Sequence, residues 1–134
     1  MKAFFDTNQI IYLYSSNELN KTNTVKNCVL ETDSHVSTQV LQEMCNVMRR
    51  KYGAPLTVID NILSQIEMNF KIYKNSVSTV RLALQIADRY QFAFYDSMII
   101  AAALESGCSI LYSEDMHHEQ KIDNQLTILN PFLI

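Results

Sequence analysis

The chain opens Met1-Lys2-Ala3-Phe4-Phe5-Asp6-Thr7-Asn8-Gln9-Ile10. A short run from Lys2 to Phe5 reads as a buried strand, and it stops abruptly on a carboxylate. Asp6 either caps the helix that follows or stands at the mouth of a site. If strand one ends on a functional acid, the remaining strands should deliver partners to the same edge of a sheet.

Working outward, Asn8–Tyr14 can begin a helix with Asp6 or Thr7 near its N-cap. Ser15-Ser16-Asn17 should break it. A second helix is expected over Thr24–Glu31, then a short strand at His35–Ser37 with Thr38 placed to cap the next helix. Gln39–Lys51 carries Val40, Met44, Val47 and Met48 at helical spacing, and Gly53 is its stop signal. Thr57–Glu67 repeats the pattern, Asn69–Lys74 alternates like a strand, and Ser78 opens a helix over Thr79–Tyr90. Asp96–Ser106 is a strongly apolar helix closed by Gly107. Cys108–Tyr112 and Leu126–Leu129 read as buried strands. Strands that alternate with helices predict an α/β fold, a parallel sheet with helices on both faces, in one domain spanning residues 1–134.

Bulk properties narrow the function classes. A chain of 134 residues can bury roughly two-thirds of its unfolded surface without staples. The composition is 48% hydrophobic and 19% charged, which excludes a disordered chain. A net charge of −3 argues against a protein that coats nucleic acid by bulk charge. Cys28, Cys45 and Cys108 show no CxxC spacing and read as reduced thiols. Asp6 and Asn8 interrupt any early apolar run, so no signal peptide or membrane span is expected, and the location expected is the cytoplasm.

In open α/β sheets, ligands sit beyond the carboxyl ends of the strands. Asp6 follows the first strand, and Asp115 follows the Cys108–Tyr112 strand. Glu43 shares a helical face with Val40 and Val47, and Asp96 shares one with Ile99, Ile100 and Ala103. Neither helical acid has a Lys or Arg three or four residues away. Two like charges 4 Å apart cost on the order of 4 kcal/mol at an effective dielectric of 20. Four acids gathered in one crevice therefore call for a divalent cation, and all-oxygen donors suit Mg2+ or Mn2+ better than Zn2+. Such an ion implies hydrolysis of a phosphodiester.

The segments FFDTN at 4–8, STQVLQEMCNV at 37–47, FYDSMIIAAA at 94–103 and LYSED at 111–115 resemble the PIN domain, most of all the VapC-type ribonuclease toxins of bacterial toxin–antitoxin pairs. The resemblance runs over nearly the whole chain. It implies an α/β/α sandwich and a Mg2+- or Mn2+-dependent endoribonuclease that forms a homodimer and is blocked by a cognate antitoxin. By motif position it implies that Asp6, Glu43, Asp96 and Asp115 are catalytic and metal-binding. Asn8 would support the first acid, and Ser113 matches the hydroxyl of a T/S-x-D element. The chain departs from the family after the last acid. Members often carry a Gly there, whereas this segment reads SEDMHHEQ, which makes Glu114 a substitute ligand candidate.

Blander readings stand beside these. Asp6 and Asp96 both suit helix N-termini. His117 and His118 are expected as a solvated loop pair rather than as ligands or a proton shuttle. Arg49, Arg50 and Lys51 complement a helix C-terminus, and the functional alternative is a grip on RNA phosphates. Two competing functions are an aspartyl phosphatase of the HAD kind and a PIN-like module that binds RNA or protein without cutting it. The phosphatase needs a second acid two residues after Asp6, where this chain has Asn8.

Overall fold

A computed structural model describes residues 1–14 and 17–134. The break expected at Ser15-Ser16-Asn17 falls mostly outside the described residues. Six strands form one sheet in the order β3-β2-β1-β4-β6-β5. They are β1 (Lys2–Phe5), β2 (Asp33–Ser37), β3 (Lys71–Tyr73), β4 (Ile110–Tyr112), β5 (Lys121–Ile122) and β6 (Leu126–Leu129). The helices are α1 (Thr7–Tyr14), α2 (Leu19–Glu31), α3 (Thr38–Arg50), α4 (Leu56–Asn69), α5 (Val77–Tyr90) and α6 (Phe94–Glu105). A 3-10 turn at Pro131–Leu133 ends the chain.

The parallel core of this sheet follows from buried strands joined by helical crossovers. In β1, Ala3, Phe4 and Phe5 are fully buried, because β2 and β4 flank the strand and helices cover it. Phe4 pairs with His35 on one side and Leu111 on the other. Beyond β2 and β4, β3 and β6 also run parallel. Helix α1 packs against both α2 and α3, and α3 against α4, as one group, and α5 packs on α6 as another. Chain direction across the sheet reverses between β1 and β4, which creates a crevice at their carboxyl ends.

Most expected elements are present, with shifted ends. Helix α2 begins five residues before Thr24, at Leu19, without a side-chain cap that a sequence reading could recognise. The α3 cap is Ser37, not Thr38, and its hydroxyl accepts from the Val40 N–H. Ser76 rather than Ser78 opens α5, in a reciprocal box with Thr79. Helix α6 starts at Phe94, and its residues Ser97–Ala103 are buried. It ends as the sequence predicts. Gly107, at φ 76°, donates to the Leu104 carbonyl, and Cys108 donates to the Ala103 carbonyl. This paired closure needs a left-handed residue, which Gly supplies without a Cβ clash.

The sheet is not wholly parallel. Strand β5 pairs antiparallel with β6, Ile122 opposite Leu126, across a three-residue loop in which Asp123 and Asn124 both have positive φ, 51° and 55°. Gln125 closes it on the Ile122 carbonyl at 3.0 Å. Positive φ at both central residues of the Ile122–Gln125 turn is what a type I′ turn requires, and Asp and Asn tolerate that conformation. Strand β5 is not among the elements expected from the sequence.

Candidate active site

Helix α1 starts one residue after β1, so Asp6 is both the strand's last word and the helix's N-terminal neighbour. Its carbonyl accepts from Gln9 N–H at 3.0 Å, and its Oδ1 accepts from Thr7 N–H at 2.7 Å. Its other oxygen, Oδ2, accepts from Ser113 Oγ at 2.8 Å, beyond the end of β4. Asp6 thus stands immediately before α1, and its side chain is tied both to the first residue of that helix and to the end of β4. With Asp6 only 8% exposed, burial dominates its titration and pushes its pKa up to about 6. The bonds from Ser113 and Thr7 oppose that rise, while the charges of Asp96 and Glu43 reinforce it.

Asp6, Asn8, Glu43, Asp96 and Asp115 line one open cleft of about 360 Å³, together with Thr7, Asn46 and Val47. The four acids predicted to meet do meet, from β1, α3, α6 and the loop after β4. None of the residues lining this cleft is cationic. Asp96 has a raised pKa, first from desolvation and then from the charges of Asp115 and Glu43. The acids therefore form one electrostatically coupled set.

Polar neighbours hold most of these carboxylates. Thr7 Oγ1 donates to Glu43 Oε1 at 2.5 Å, and the Asn8 amide donates to Asp115 Oδ2. Gln39 Nε2 reaches Glu43 Oε2 at 3.4 Å and the Tyr95 carbonyl at 3.2 Å, which ties α3 to the first turn of α6. Thr7, Gln39 and Asn46 were missed in the sequence reading. Gln39 and Asn46 lie four residues before and three after Glu43, a spacing that marked them as its helical neighbours. Asn8 supports an acid as expected, but it bonds the last acid and not the first. Ser113 supports Asp6 from behind and is fully buried.

Other predicted residues lie elsewhere. Glu114 is not a substitute ligand. Its carboxylate is held by Lys21 Nζ at 2.6 Å and Tyr12 Oη at 2.5 Å, outside the cleft. His118 Nδ1 accepts from Asn130 N–H at 2.9 Å, which joins its loop to the C-terminal segment, while His117 is exposed. Arg49, Arg50 and Lys51 are exposed at the end of α3. Arg49 lines a separate groove with Cys45, Leu56, Ile59, Asp60 and Leu63.

The family model of the PIN domain matches residues 3–122. The chain belongs to the PIN domain family. No curated protein matches it in sequence. Solved structures share its fold. A toxin–antitoxin complex from Klebsiella pneumoniae aligns with TM-score 0.71 at 19% identity, over 96% of this chain and 97% of that one. VapC20 of Mycobacterium tuberculosis, a Sarcin-Ricin loop cleaving toxin, aligns with TM-score 0.69 at 17% identity, over 84% and 89%. VapBC2 of Rickettsia felis, bound to a promoter DNA fragment, aligns with TM-score 0.68 at 14% identity, over 96% and 97%. In this PIN domain, the acids stand at the switch between β1 and β4. Asn8, which gives its amide to Asp115, occupies the position where an aspartyl phosphatase needs an acid.

The donor set fits a hard divalent cation. Four carboxylates face one cleft without a cationic side chain among its lining residues, and no Cys or His lines it. Among the described residues, no group of three or more His, Cys, Asp or Glu side chains is arranged to hold a metal ion. A hard cation such as Mg2+ is commonly held by only one or two carboxylates and completed by water and substrate phosphate, so the acids lining the cleft fit it without such a group.

No helix among the described residues is long and apolar enough to cross a membrane.

Proposed function

We propose that this PIN domain is a Mg2+- or Mn2+-dependent endoribonuclease and the toxin of a toxin–antitoxin pair. The observation that carries this reading is the coupled set Asp6, Glu43, Asp96 and Asp115 around one cleft at the β1–β4 switch point. Asp6, Asp96, Glu43 and Asp115 would hold the cation. A bound cation would supply positive charge to the scissile phosphate and acidify a water. Ser113 and the Thr7 N–H keep the buried Asp6 oriented. Thr7 and Gln39 fix the Glu43 carboxylate. Arg50, seven residues along α3, shares the helical face of Glu43 about 10 Å further on, placed to meet an RNA phosphate. Arg49 and Lys51 would add to that field.

Partners follow from the same reading. Solved structures with this fold include toxin–antitoxin complexes, which supports a cognate antitoxin. On α5, Val77, Val80 and Leu84 are 69%, 40% and 58% exposed at helical spacing, which supports a homodimer. The proposed setting is cytoplasmic.

The test is cleavage of structured RNA with Mg2+ or Mn2+, with and without EDTA, by the wild type and by Asp6→Asn and Asp96→Asn. Cleavage that needs the cation and disappears in both variants supports the proposal. Cutting that ignores EDTA or survives both substitutions overturns the metal mechanism. Tight RNA binding without cutting would favour the non-catalytic module.

A further inference from the structure

Asp115 rides on a loop that has no glycine, and the fold fastens that loop on both sides. After Asp115, Met116 is buried, and its N–H donates to Ser113 Oγ at 3.3 Å. Before Asp115, Glu114 turns away from the cleft toward α1 and α2. Tyr12 Oη donates to Glu114 Oε1, and Lys21 Nζ pairs with Oε2 and also reaches Tyr12 Oη at 3.2 Å. The ammonium lies 4.7 Å from the Tyr12 ring centroid and 5.0 Å from that of Phe132, and those two rings meet edge to face. Lys21 and Glu114 are 30% and 26% exposed, well short of a solvated surface pair.

The grip has a pattern. Asn8 and Tyr12 are four residues apart on α1 and share a face. Asn8 takes Asp115, and Tyr12 takes Glu114. One stripe of α1 thus holds two consecutive carboxylates, and Lys21 of α2 neutralises the outer one. Without Lys21, Glu114 would be a fifth acid adjoining a cleft already crowded with four.

We propose that Lys21 and Glu114 form a latch that positions Asp115 for cation binding. Lys21 is then a positioning residue, 93 positions away in sequence from Glu114. The inference rests on the metal-dependent reading of the cleft. Polar partners behind metal ligands typically change metal affinity or activity 10- to 100-fold when removed.

The experiment measures Mn2+ binding by calorimetry, and RNA cleavage, for wild type, Lys21→Met, Lys21→Arg, Glu114→Gln and the double variant Lys21→Met/Glu114→Gln. Lys21→Met is expected to weaken Mn2+ binding about 10-fold or more and to lower kcat with KM nearly unchanged, and Lys21→Arg should restore most of both. The double variant, which leaves no unpaired charge and so guards against a misfolded single variant, should be no worse than either single one but should still bind Mn2+ about 10-fold more weakly than wild type. Equal Mn2+ affinity in wild type and the double variant overturns the latch, even if melting temperatures differ. A wild type that neither binds Mn2+ nor cuts RNA would instead sink the nuclease reading itself.

Discussion

Ser113 Oγ donates to Asp6 Oδ2 at 2.8 Å, a bond between the ends of β1 and β4 in a fully buried position. It joins the two strands at the point where the chain's direction across the sheet reverses. The same hydroxyl accepts from Met116, so one serine orients the first acid and the loop that carries the last.

Ser113→Ala should therefore have two separable effects. A hydrogen bond to a buried charge contributes roughly 1.5–3 kcal/mol, so melting should fall by several degrees. Removing the donor should also raise the Asp6 pKa further above about 6. The acid limb of the cleavage pH profile is then expected to move to higher pH, which a profile from pH 5 to 9 would reveal.

The pH dependence of stability without metal has a definite sign. The Asp6 pKa is about 6 in the fold against an ordinary 3.8. Between these values the native state holds a proton that the unfolded chain releases, so stability falls as pH rises. The loss is complete above about pH 6 and amounts to roughly 3 kcal/mol. Asp6→Asn lacks this proton. Its melting temperature minus that of wild type should grow between pH 4 and pH 7 in EDTA, and the differential cancels the other carboxylates.

Repulsion within the cleft gives a third outcome. Asp96→Asn relieves its interaction with Asp115 and Glu43. Because Asp96 is exposed at the cleft, the gain should be at most about 1 kcal/mol, a few degrees in metal-free melting. Wild type should gain about 2.7 kcal/mol in Mn2+ at 100 times its dissociation constant. The variant should show little of that gain. Identical Mn2+ responses in the two proteins would mean that Asp96 is not part of the ion's site.

Glu119 bears on the missing glycine. It adopts φ 70° while its N–H donates to the Ile128 carbonyl at 2.7 Å. A left-handed residue with a Cβ costs roughly 1–2 kcal/mol. Glu119→Gly is expected to stabilise the chain by up to about 1 kcal/mol after the added freedom of the unfolded glycine, and Glu119→Val to destabilise it. Paired thermal melts would settle the sign.

Local chemistry is legible in a linear chain, and Asp6 shows how far that goes. An apolar run followed by an acid, helical spacing around Glu43 and Asp96, and Gly107 after α6 all act over a few residues, so β1, β4, β6 and most helices could be read directly. Ends without a side-chain signature, such as the start of α2 at Leu19, could not. Nor could the two-residue β5, which is too short to carry periodicity.

The partners of the acids lie on the other side of that divide. Thr7 finds Glu43 across 36 positions, Asn8 finds Asp115 across 107, and Lys21 claims Glu114 across 93. These pairings depend on strand order and on which way each side chain turns, and no short window of residues encodes either. Sequence could place four carboxylates at strand ends and helix starts. Only the folded packing made Glu114 a structural anion and Asp115 a cleft acid, since adjacent loop residues in this fold face opposite sides.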